Sequence, residues 1–335
     1  MNIEDKINIT KDILKGKRVA IGFSGGADST LMAYLSSKVA ADTLIITIDN
    51  HLFPKDFIEN AKEIAKSFGI AHEVIDIDFY EDEYFLSNAS MRCYTCRKIM
   101  YSQIKKVALE KGFDFICDGN NISDLVNDRP GILITYENDF KTPFIEAKLT
   151  SKEIHEYLNK NNIPYSKSTT CLATRIPTDT RITPEKIERI GFSEDYILAN
   201  TNCEIAKVRD FGEIGMVEVD KVNEILLDDK FNQINDKLKG QGFMKVALNL
   251  SQIDDNEYVS IDYNEESFSH QLPFTIDLEN TKRQIENIIF DDVDKIELSN
   301  MTIFKNGLIK GHDFKNYDDA LDAFMEILPK LRRNI

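Results

Sequence analysis

The chain has 335 residues, of which 42% are hydrophobic and 10% aromatic, enough for two domains and a small third one. Its 41 basic and 57 acidic residues give a net charge of −16, which argues against a nucleic-acid partner and favours a small molecule. No apolar run approaches the ~20 residues that span a bilayer, and the charged start has no hydrophobic signal core. We therefore expect a cytoplasmic protein without a membrane partner.

Strands alternate with helices over the first half of the chain. Apolar runs predict strands at 18–23, 42–49, 71–78 and 113–121, and helical spacing predicts helices at 30–40, 55–69, 96–112 and 150–164. This alternation predicts an α/β fold, with a parallel sheet that carries helices on both faces. Residues 166–183 are rich in Ser, Thr, Arg and Pro and are predicted to form a loop, which at this length is more often functional than idle.

The composition changes after Pro184. Residues 203–220 alternate like a hairpin with its turn at Phe211 and Gly212, and one helix over 221–242 and a strand over 243–250 follow. The last eighty residues contain predicted strands at 258–263 and 295–300 and a terminal helix at 317–333. We expect three domains: an α/β domain at 1–183, a smaller α+β domain at 184–255, and an α+β extension of unknown role at 256–335.

The segment "IGFSGGADS" at 21–29 joins the first strand to a helix. Backbone N–H groups and the helix dipole favour an oxyanion at such a junction. Gly25 and Gly26 allow a phosphate to approach the backbone, and Ser24 and Ser29 offer hydroxyl donors. The loop lacks the lysine of a Walker sequence, so we predict a phosphate site of another kind, with a tight turn that binds nothing as the alternative.

Three of the five cysteines could form one site. Cys93 and Cys96 lie two residues apart at the start of a predicted helix, and Cys171 lies in the long polar loop. A lone CxxC is compatible with a redox pair, half a zinc site or two iron–sulfur ligands. No second CxxC or close His pair completes a zinc site. Three thiolates would hold a [4Fe-4S] cluster with one iron left open, and three unrelated cysteines are the alternative.

Charged residues beside the CxxC could compensate the negative charge of such a cluster or hold an anionic substrate, namely Arg92, Arg97 and Lys98. Cys117 and Cys203 lie outside these motifs, and we expect both to be structural.

The glycine loop resembles the SGGxDS signature of the PP-loop ATP pyrophosphatases. Residues 1–255 as a whole resemble the LarE family of ATP-dependent sacrificial sulfur transferases. The resemblance rests on "SGGADS", "RCYTC", "DGNNISDLVNDRPG" at 118–131, "TPFIEAKLTSKEI" at 142–154, "CLATRIPTDTRIT" at 171–183 and "KVRDFGEIGMVEV" at 207–219. It implies that residues 1–183 form a PP-loop ATP pyrophosphatase domain, similar in fold to the adenine nucleotide alpha hydrolases. It also implies that residues 184–255 form a domain for substrate binding and sulfur transfer.

The resemblance also implies a reaction. Family members use ATP to adenylylate a carboxylate of pyridinium-3,5-biscarboxylic acid mononucleotide, release pyrophosphate and replace the activated oxygen with sulfur, a step in nickel-pincer nucleotide synthesis. The loop would grip the departing pyrophosphate, Asp28 would lie near Mg²⁺, and residues 47–50 would border the adenosine.

The source of sulfur differs within the family. In simpler members it is the cysteine that matches Cys171, whereas members with the additional CxxC hold an iron–sulfur cluster that can carry an extra sulfide. This chain, with Cys93, Cys96 and Cys171, resembles the second kind. A sulfide donor would then be a partner, and the family resemblance implies a homo-oligomer.

Individual residues carry over by position. The resemblance implies catalytic roles for Asp28, Arg97, Asp124 and Cys171. It implies binding of the substrate phosphate or a metal by a second group, consisting of Arg175, Arg181, Lys207, Arg209 and Glu218. For Asp28 the alternative is a first-turn acidic residue that complements the helix dipole, and for the other charged residues it is a solvated charge. Two departures from the family pattern, Lys207 in place of an arginine and "RIPTD" in place of "RIPYG", concern substrate identity more than reaction type.

Three other functions are compatible with the sequence. A cluster-dependent tRNA thiolase would share the chemistry, although the acidic balance argues against it. A PP-loop amide ligase would use ammonia as the nucleophile, with the cysteines incidental or bound to zinc. A nucleotide sensor would bind ATP without releasing pyrophosphate.

Overall fold

The computed structural model describes residues 1–127, 131–166, 170–227, 229–253 and 259–334. In the amino-terminal part, four parallel strands form a sheet in the order β3-β2-β1-β4. The strands are β1 Arg18–Gly22, β2 Asp42–Asp49, β3 Ala71–Asp76 and β4 Phe115–Cys117. Helices cover both faces, because Val19 and Ile21 lie in one buried cluster and Ala20 lies in another. The predicted α/β class is confirmed.

Nine helices accompany this sheet in the described residues. They are α1 Ile3–Leu14, α2 Ala27–Val39, α3 Phe57–Phe68, α4 Glu83–Leu86, α5 Arg92–Glu110, α6 Ile122–Val126, α7 Ile132–Glu137, α8 Pro143–Glu146 and α9 Ser151–Lys160. Helix α3 stops at Gly69 in the left-handed conformation, as predicted (φ +67°). Thr150 caps α9 in a capping box with Glu153. Two 3-10 turns, Phe79–Glu81 and Leu172–Arg175, complete this part.

The second sheet has three strands and follows a helix that was not predicted, α10 Pro184–Asn200. The hairpin of β5 Ala206–Asp210 and β6 Ile214–Val219 is confirmed, and β7 Lys245–Leu248 pairs parallel to β6. The single helix predicted over 221–242 is wrong. It is divided into α11 Val222–Leu226 and α12 Lys230–Gly240, because the backbone of Leu227 is extended (ψ 141°).

The third sheet consists of six antiparallel strands in the order β10-β11-β12-β13-β9-β8. They are β8 Asp262–Asn264, β9 Ser267–Gln271, β10 Phe290–Asp291, β11 Lys295–Glu297, β12 Met301–Phe304 and β13 Leu308–Gly311, with helices α13 Leu278–Lys282 and α14 Tyr317–Ile327. The helix predicted over 317–333 ends earlier, at Ile327, where the chain enters a 3-10 turn, Leu328–Lys330, that contains Pro329. Of the strand predicted at 258–263, residue 258 lies outside the described part.

Each sheet lies within one of the predicted domain ranges, 1–183, 184–255 and 256–335, whose boundaries stay predictions. Among the described residues, none of the helices has the length and apolar character needed to cross a bilayer.

Candidate active site

The glycine loop leaves the carboxyl end of β1 and enters α2. Gly25 has φ +75°, a conformation that favours glycine, and its carbonyl accepts a hydrogen bond from Thr30 Oγ1 at 3.0 Å. Ser24 and Ser29 face each other with their hydroxyl oxygens 3.2 Å apart. The loop thus has the strand-to-helix geometry predicted for a phosphate site.

The turn that follows β4 lies against the glycine loop. Strands β2 and β4 lie on opposite sides of β1, so the crevice between β1 and β4 is the switch point where open α/β sheets bind ligands. Asn121 Nδ2 donates to Asp28 Oδ1 at 3.2 Å across this crevice. A Cβ at Gly119 would lie 2.8 Å from the backbone nitrogen of Ser29. The β4 turn and the start of α2 are therefore too close together for any side chain at position 119.

Asp124 lies in the first turn of α6 and is buried. Its Oδ2 accepts a hydrogen bond from the backbone N–H of Asn121 at 2.8 Å, which completes a capping box. Asp124 therefore helps to position Asn121, the partner of Asp28, and its catalytic role stays a prediction.

Arg97 joins the helix of the CxxC to the β4 turn. Its Nη2 donates to Asp118 Oδ2 at 3.3 Å and to Asn120 Oδ1 at 3.1 Å, and it also contacts Tyr101 Oη. Tyr101 Oη and Thr135 Oγ1 donate to the same Asp118 oxygen at 2.7 and 3.1 Å. Burial raises the pKa of Asp118, and Arg97 and these donors oppose that shift.

Residues at the end of β2 were predicted to border the adenosine. Thr47 is buried and its Oγ1 lies 2.8 Å from Nε2 of His72, while Asn50 Oδ1 accepts from the backbone of Leu52 at 3.1 Å. Both side chains therefore have partners within the protein, and their role toward a nucleotide stays a prediction.

The structure brings the three predicted cysteines toward one another. Cys96 and Cys171 belong to the same apolar cluster, and Cys93 is exposed at the first turn of α5. Burial, followed by the nearby Cys171 and Cys93, raises the pKa of Cys96 to about 12. Arg92 connects the two cysteine segments, since its Nη2 donates to Cys93 Sγ at 3.4 Å and its Nη1 to the carbonyl of Ala173 at 2.8 Å.

The spacing of the sulfur atoms restricts what they could bind. Among the described residues, the cysteines do not form a group whose ligand atoms all lie within 4.8 Å of one another. A single zinc ion with Zn–S bonds of about 2.3 Å would need sulfur atoms about 3.8 Å apart. In the described residues, the three thiols are therefore spread more widely than one zinc ion would hold them.

The loop that leads to Cys171 is attached at both ends to segments that follow β1 and β2. Ser166 N donates to the carbonyl of Gly25 at 2.8 Å, and Leu172 N donates to the carbonyl of Leu52 at 2.8 Å. Residues 167–169 lie outside the described part of the chain.

The β5–β6 hairpin approaches the same loop. Lys207 and Glu218 are directly opposite in the register, and Arg209 Nε donates to Glu218 Oε2 at 2.9 Å. Arg209 Nη1 also donates to the carbonyl of Thr174, three residues after Cys171, at 3.4 Å. The structure thus brings the predicted hairpin residues to the Cys171 loop.

Two predicted binding residues are engaged elsewhere. Arg175 is 4% exposed and forms a buried ion pair with Glu194, and Arg181 forms an exposed pair with Glu83. These contacts give both side chains partners within the protein, and their roles in binding stay predictions. Sequence reasoning missed Glu194, Asn121 and Asp118, because their importance follows from tertiary neighbours, although Asn121 and Asp118 lie within the motif at 118–131.

A profile of the PP-loop domain family matches residues 1–129. An uncharacterized protein of Methanocaldococcus jannaschii is 31% identical over 72% of this chain and 93% of its own length. The pyridinium-3,5-bisthiocarboxylic acid mononucleotide synthase of Lactiplantibacillus plantarum, a LarE protein, is 24% identical over 70% of this chain and 86% of its own length. The chain belongs to the LarE family.

The predicted family resemblance is thereby confirmed, and the PP-loop domain of this LarE-family protein is its ATP-using part. A shorter similarity exists to a tRNA-specific 2-thiouridylase of Clostridium botulinum, 29% identical over 34% of this chain and 38% of that enzyme.

Proposed function

We propose that this LarE-family protein is an ATP-dependent sulfur transferase that acts on pyridinium-3,5-biscarboxylic acid mononucleotide. A substrate carboxylate oxygen would attack the α phosphorus of ATP, the bond to the β-phosphate oxygen would break, and pyrophosphate would leave. Sulfur would then replace AMP on the activated carbonyl carbon. The similarity to the synthase of L. plantarum supports the substrate class and the sulfur chemistry.

The observation that carries this proposal is the attachment of the Cys171 loop to the phosphate loop. The hydrogen bond from Ser166 N to the carbonyl of Gly25 attaches the start of the Cys171 loop to the phosphate loop. Five residues further along the chain, Cys171 can lie at most about 18 Å from Ser166. Carboxylate activation and sulfur chemistry would therefore share one site.

The phosphate loop would stabilise the leaving group. Ser24, Gly25, Gly26 and Ser29 would contact pyrophosphate through backbone N–H groups and hydroxyls at the start of α2. Asp28, positioned by Asn121, would hold the Mg²⁺ that neutralises the pyrophosphate charge. Lys207, Arg209 and Glu218 would bind the substrate phosphate or a metal beside the Cys171 loop.

Cys93, Cys96 and Cys171 would hold a [4Fe-4S] cluster, which when bound would supply an open iron for an extra sulfide. Arg92 donates to Cys93 Sγ and would stabilise its thiolate. Arg92 also holds the carbonyl of Ala173, so the same side chain would keep the Cys171 turn next to α5.

Isotope exchange between pyrophosphate and ATP, measured with the biscarboxylic acid mononucleotide, tests the activation step. We expect exchange in the wild type and its loss in Asp28→Asn, because Mg²⁺ binding is weakened. Asp12→Asn on the exposed face of α1 is the matched control and should keep full exchange. Formation of ADP in place of AMP would contradict adenylylation.

Anaerobic purification tests the cluster. About four iron and four labile sulfide per chain are expected in the wild type and in Cys203→Ala, and a strong loss in Cys93→Ala, Cys96→Ala and Cys171→Ala. A colourless zinc protein that keeps activity after Cys171→Ala would contradict the proposal. Mass spectrometry after turnover distinguishes the sulfur sources, since loss of H₂S from Cys171 indicates sacrifice and an unchanged chain mass indicates a carried sulfide.

A tRNA acceptor is the second candidate, because the similarity to tRNA-specific 2-thiouridylases covers 34% of the chain. The net charge of −16 disfavours a polyanionic substrate. Incorporation of sulfur into tRNA in place of the pyridinium nucleotide would favour this alternative.

A further inference from the structure

The carboxy-terminal extension, residues 259–334, packs directly against the segment that follows β4. Ile122, Leu125, Ile132 and Ile145 of this segment lie in a buried cluster whose other members come from the extension. The 3-10 turn Leu328–Lys330 lies against α6. The hydrophobic core of the extension is therefore shared with the ATP-binding part.

The last turn of the chain is fixed in place where it meets α6. Leu328 is 2% exposed and Leu331 is 8% exposed, and both line a small cavity with Asp124 and Leu125 of α6. Arg332 N donates to Thr281 Oγ1 at 2.9 Å, and its carbonyl accepts from the backbone of residue 277 at 2.8 Å. Hydrogen bonds to the backbone of Arg332 therefore hold the segment that carries these two leucines.

Polar contacts strengthen the same junction. The Arg332 guanidinium lies 4.6 Å from the ring centre of Tyr136 in α7, a cation–π distance. Lys148 Nζ lies 3.5 Å from Glu326 Oε2. One contact lies before α8 and the other after it, so the extension is attached to the segment after β4 at two further positions.

Helix α6 is short, and its position determines where Asn121 and Asp124 lie. A helix of five residues is not stable by itself, so its orientation depends on the packing of Ile122 and Leu125. Its N-cap residue, Asn121, accepts from Ser123 N at 2.8 Å and donates to Asp28. A displacement of α6 would therefore move the partner of Asp28.

We propose that the carboxy-terminal extension is a positioning element of the nucleotide site. Leu328 and Leu331 act through α6 on Asn121, and Asn121 acts on Asp28. This inference rests on the proposed function for the role of Asp28 toward Mg²⁺ and pyrophosphate, and it assigns a role to a part of the chain that carries no catalytic motif.

The test is the affinity of the full-length protein for α,β-methylene-ATP with Mg²⁺, measured by titration calorimetry. Leu328→Ala should raise the Kd by about tenfold, because the loss of side-chain volume lets α6 shift. Ile303→Ala removes a similar volume from the sheet of the same extension, where the side chain is fully buried, and should change the Kd by less than about twofold. Leu328→Met conserves the volume and should keep the wild-type Kd.

An equal Kd in folded Leu328→Ala and wild type would overturn the inference, as would equal weakening in Ile303→Ala. If Leu328→Ala does not fold, hydrogen exchange of the wild type decides. Adding the nucleotide should protect residues 119–127 and also residues 326–332, and protection of the first segment alone would overturn the inference. Failure of the proposed function is distinguishable, because it would leave nucleotide binding intact and abolish pyrophosphate exchange.

Discussion

Arg175 and Glu194 form a buried bidentate ion pair, with Nε to Oε1 at 2.7 Å and Nη2 to Oε2 at 3.2 Å. Glu194 Oε1 also accepts from the backbone N–H of Val208 at 2.9 Å. The pair therefore connects the turn after Cys171 to the strand that carries Lys207 and Arg209. Burial raises the pKa of Glu194, and Arg175 and Val208 oppose that shift.

Glu194→Gln should impair sulfur transfer more than carboxylate activation. The substitution leaves a buried arginine without its counter-charge, which we expect to lower the free energy of unfolding by about 3 kcal/mol. It should reduce sulfur transfer, because the connection between the hairpin and the Cys171 turn loses its charge–charge contact, while pyrophosphate exchange at the phosphate loop remains. Urea denaturation and the two activity assays measure these effects.

The matched control is Glu83→Gln, which breaks the exposed ion pair with Arg181. It should leave stability and both activities unchanged. A parallel loss of both activities in Glu194→Gln at a temperature where the protein is folded would contradict the separate role of the pair.

Tyr101→Phe should destabilise the network behind the β4 turn. The lost hydroxyl donates to buried Asp118 at 2.7 Å, so we expect a loss of about 1–3 kcal/mol in the free energy of unfolding. The Kd for MgATP should rise too, because Asp118 orients Asn120 next to Asn121. Tyr94→Phe on the same helix removes an exposed hydroxyl bound to Glu137 and should change neither quantity. Equal effects of the two substitutions would argue against the network.

Gly119→Ala should weaken nucleotide binding. Its Cβ would lie 2.8 Å from Ser29 N and 2.9 Å from the carbonyl carbon of Asp28, so the β4 turn must move away from the start of α2. Gly240→Ala, where no atom lies within 4 Å of the new Cβ, is the control. Calorimetric titration with MgATP checks both variants, and an unchanged Kd in Gly119→Ala would show that the close approach is dispensable.

Local signals in the sequence predict the regular elements near the phosphate loop well. Strand β2 has the predicted bounds, because an apolar run rich in Ile is bounded by Asp42 and Asp49. Helix α10 was missed although Thr183 and Pro184 are a cap and an N1 proline. In the extension, β11 lies within the strand predicted at 295–300, whereas the two-residue β10 carries too little periodicity to be predicted.

The candidate site, too, is only partly predictable from the sequence. Its phosphate loop and cysteines follow from motifs, whereas the partners of those motifs depend on tertiary distances. The contact between Asn121 and Asp28 spans 93 residues of sequence, and no local pattern pairs Arg175 with Glu194.

His72 should make the folded state less stable in mild acid. Burial lowers its pKa below 6.5, the nearby charge of Lys62 lowers it further, and Glu73 opposes this shift. Well above pH 6.5 the imidazole is neutral in both states. As the pH falls toward and below that value, the unfolded chain binds the proton first and the free energy of unfolding decreases. Urea denaturation at pH 7.5 and 5.5 should show a smaller decrease in His72→Gln than in wild type or in His312→Gln, a substitution at an exposed histidine. The same decrease in all three proteins would show that His72 takes up its proton equally readily in the folded and unfolded states.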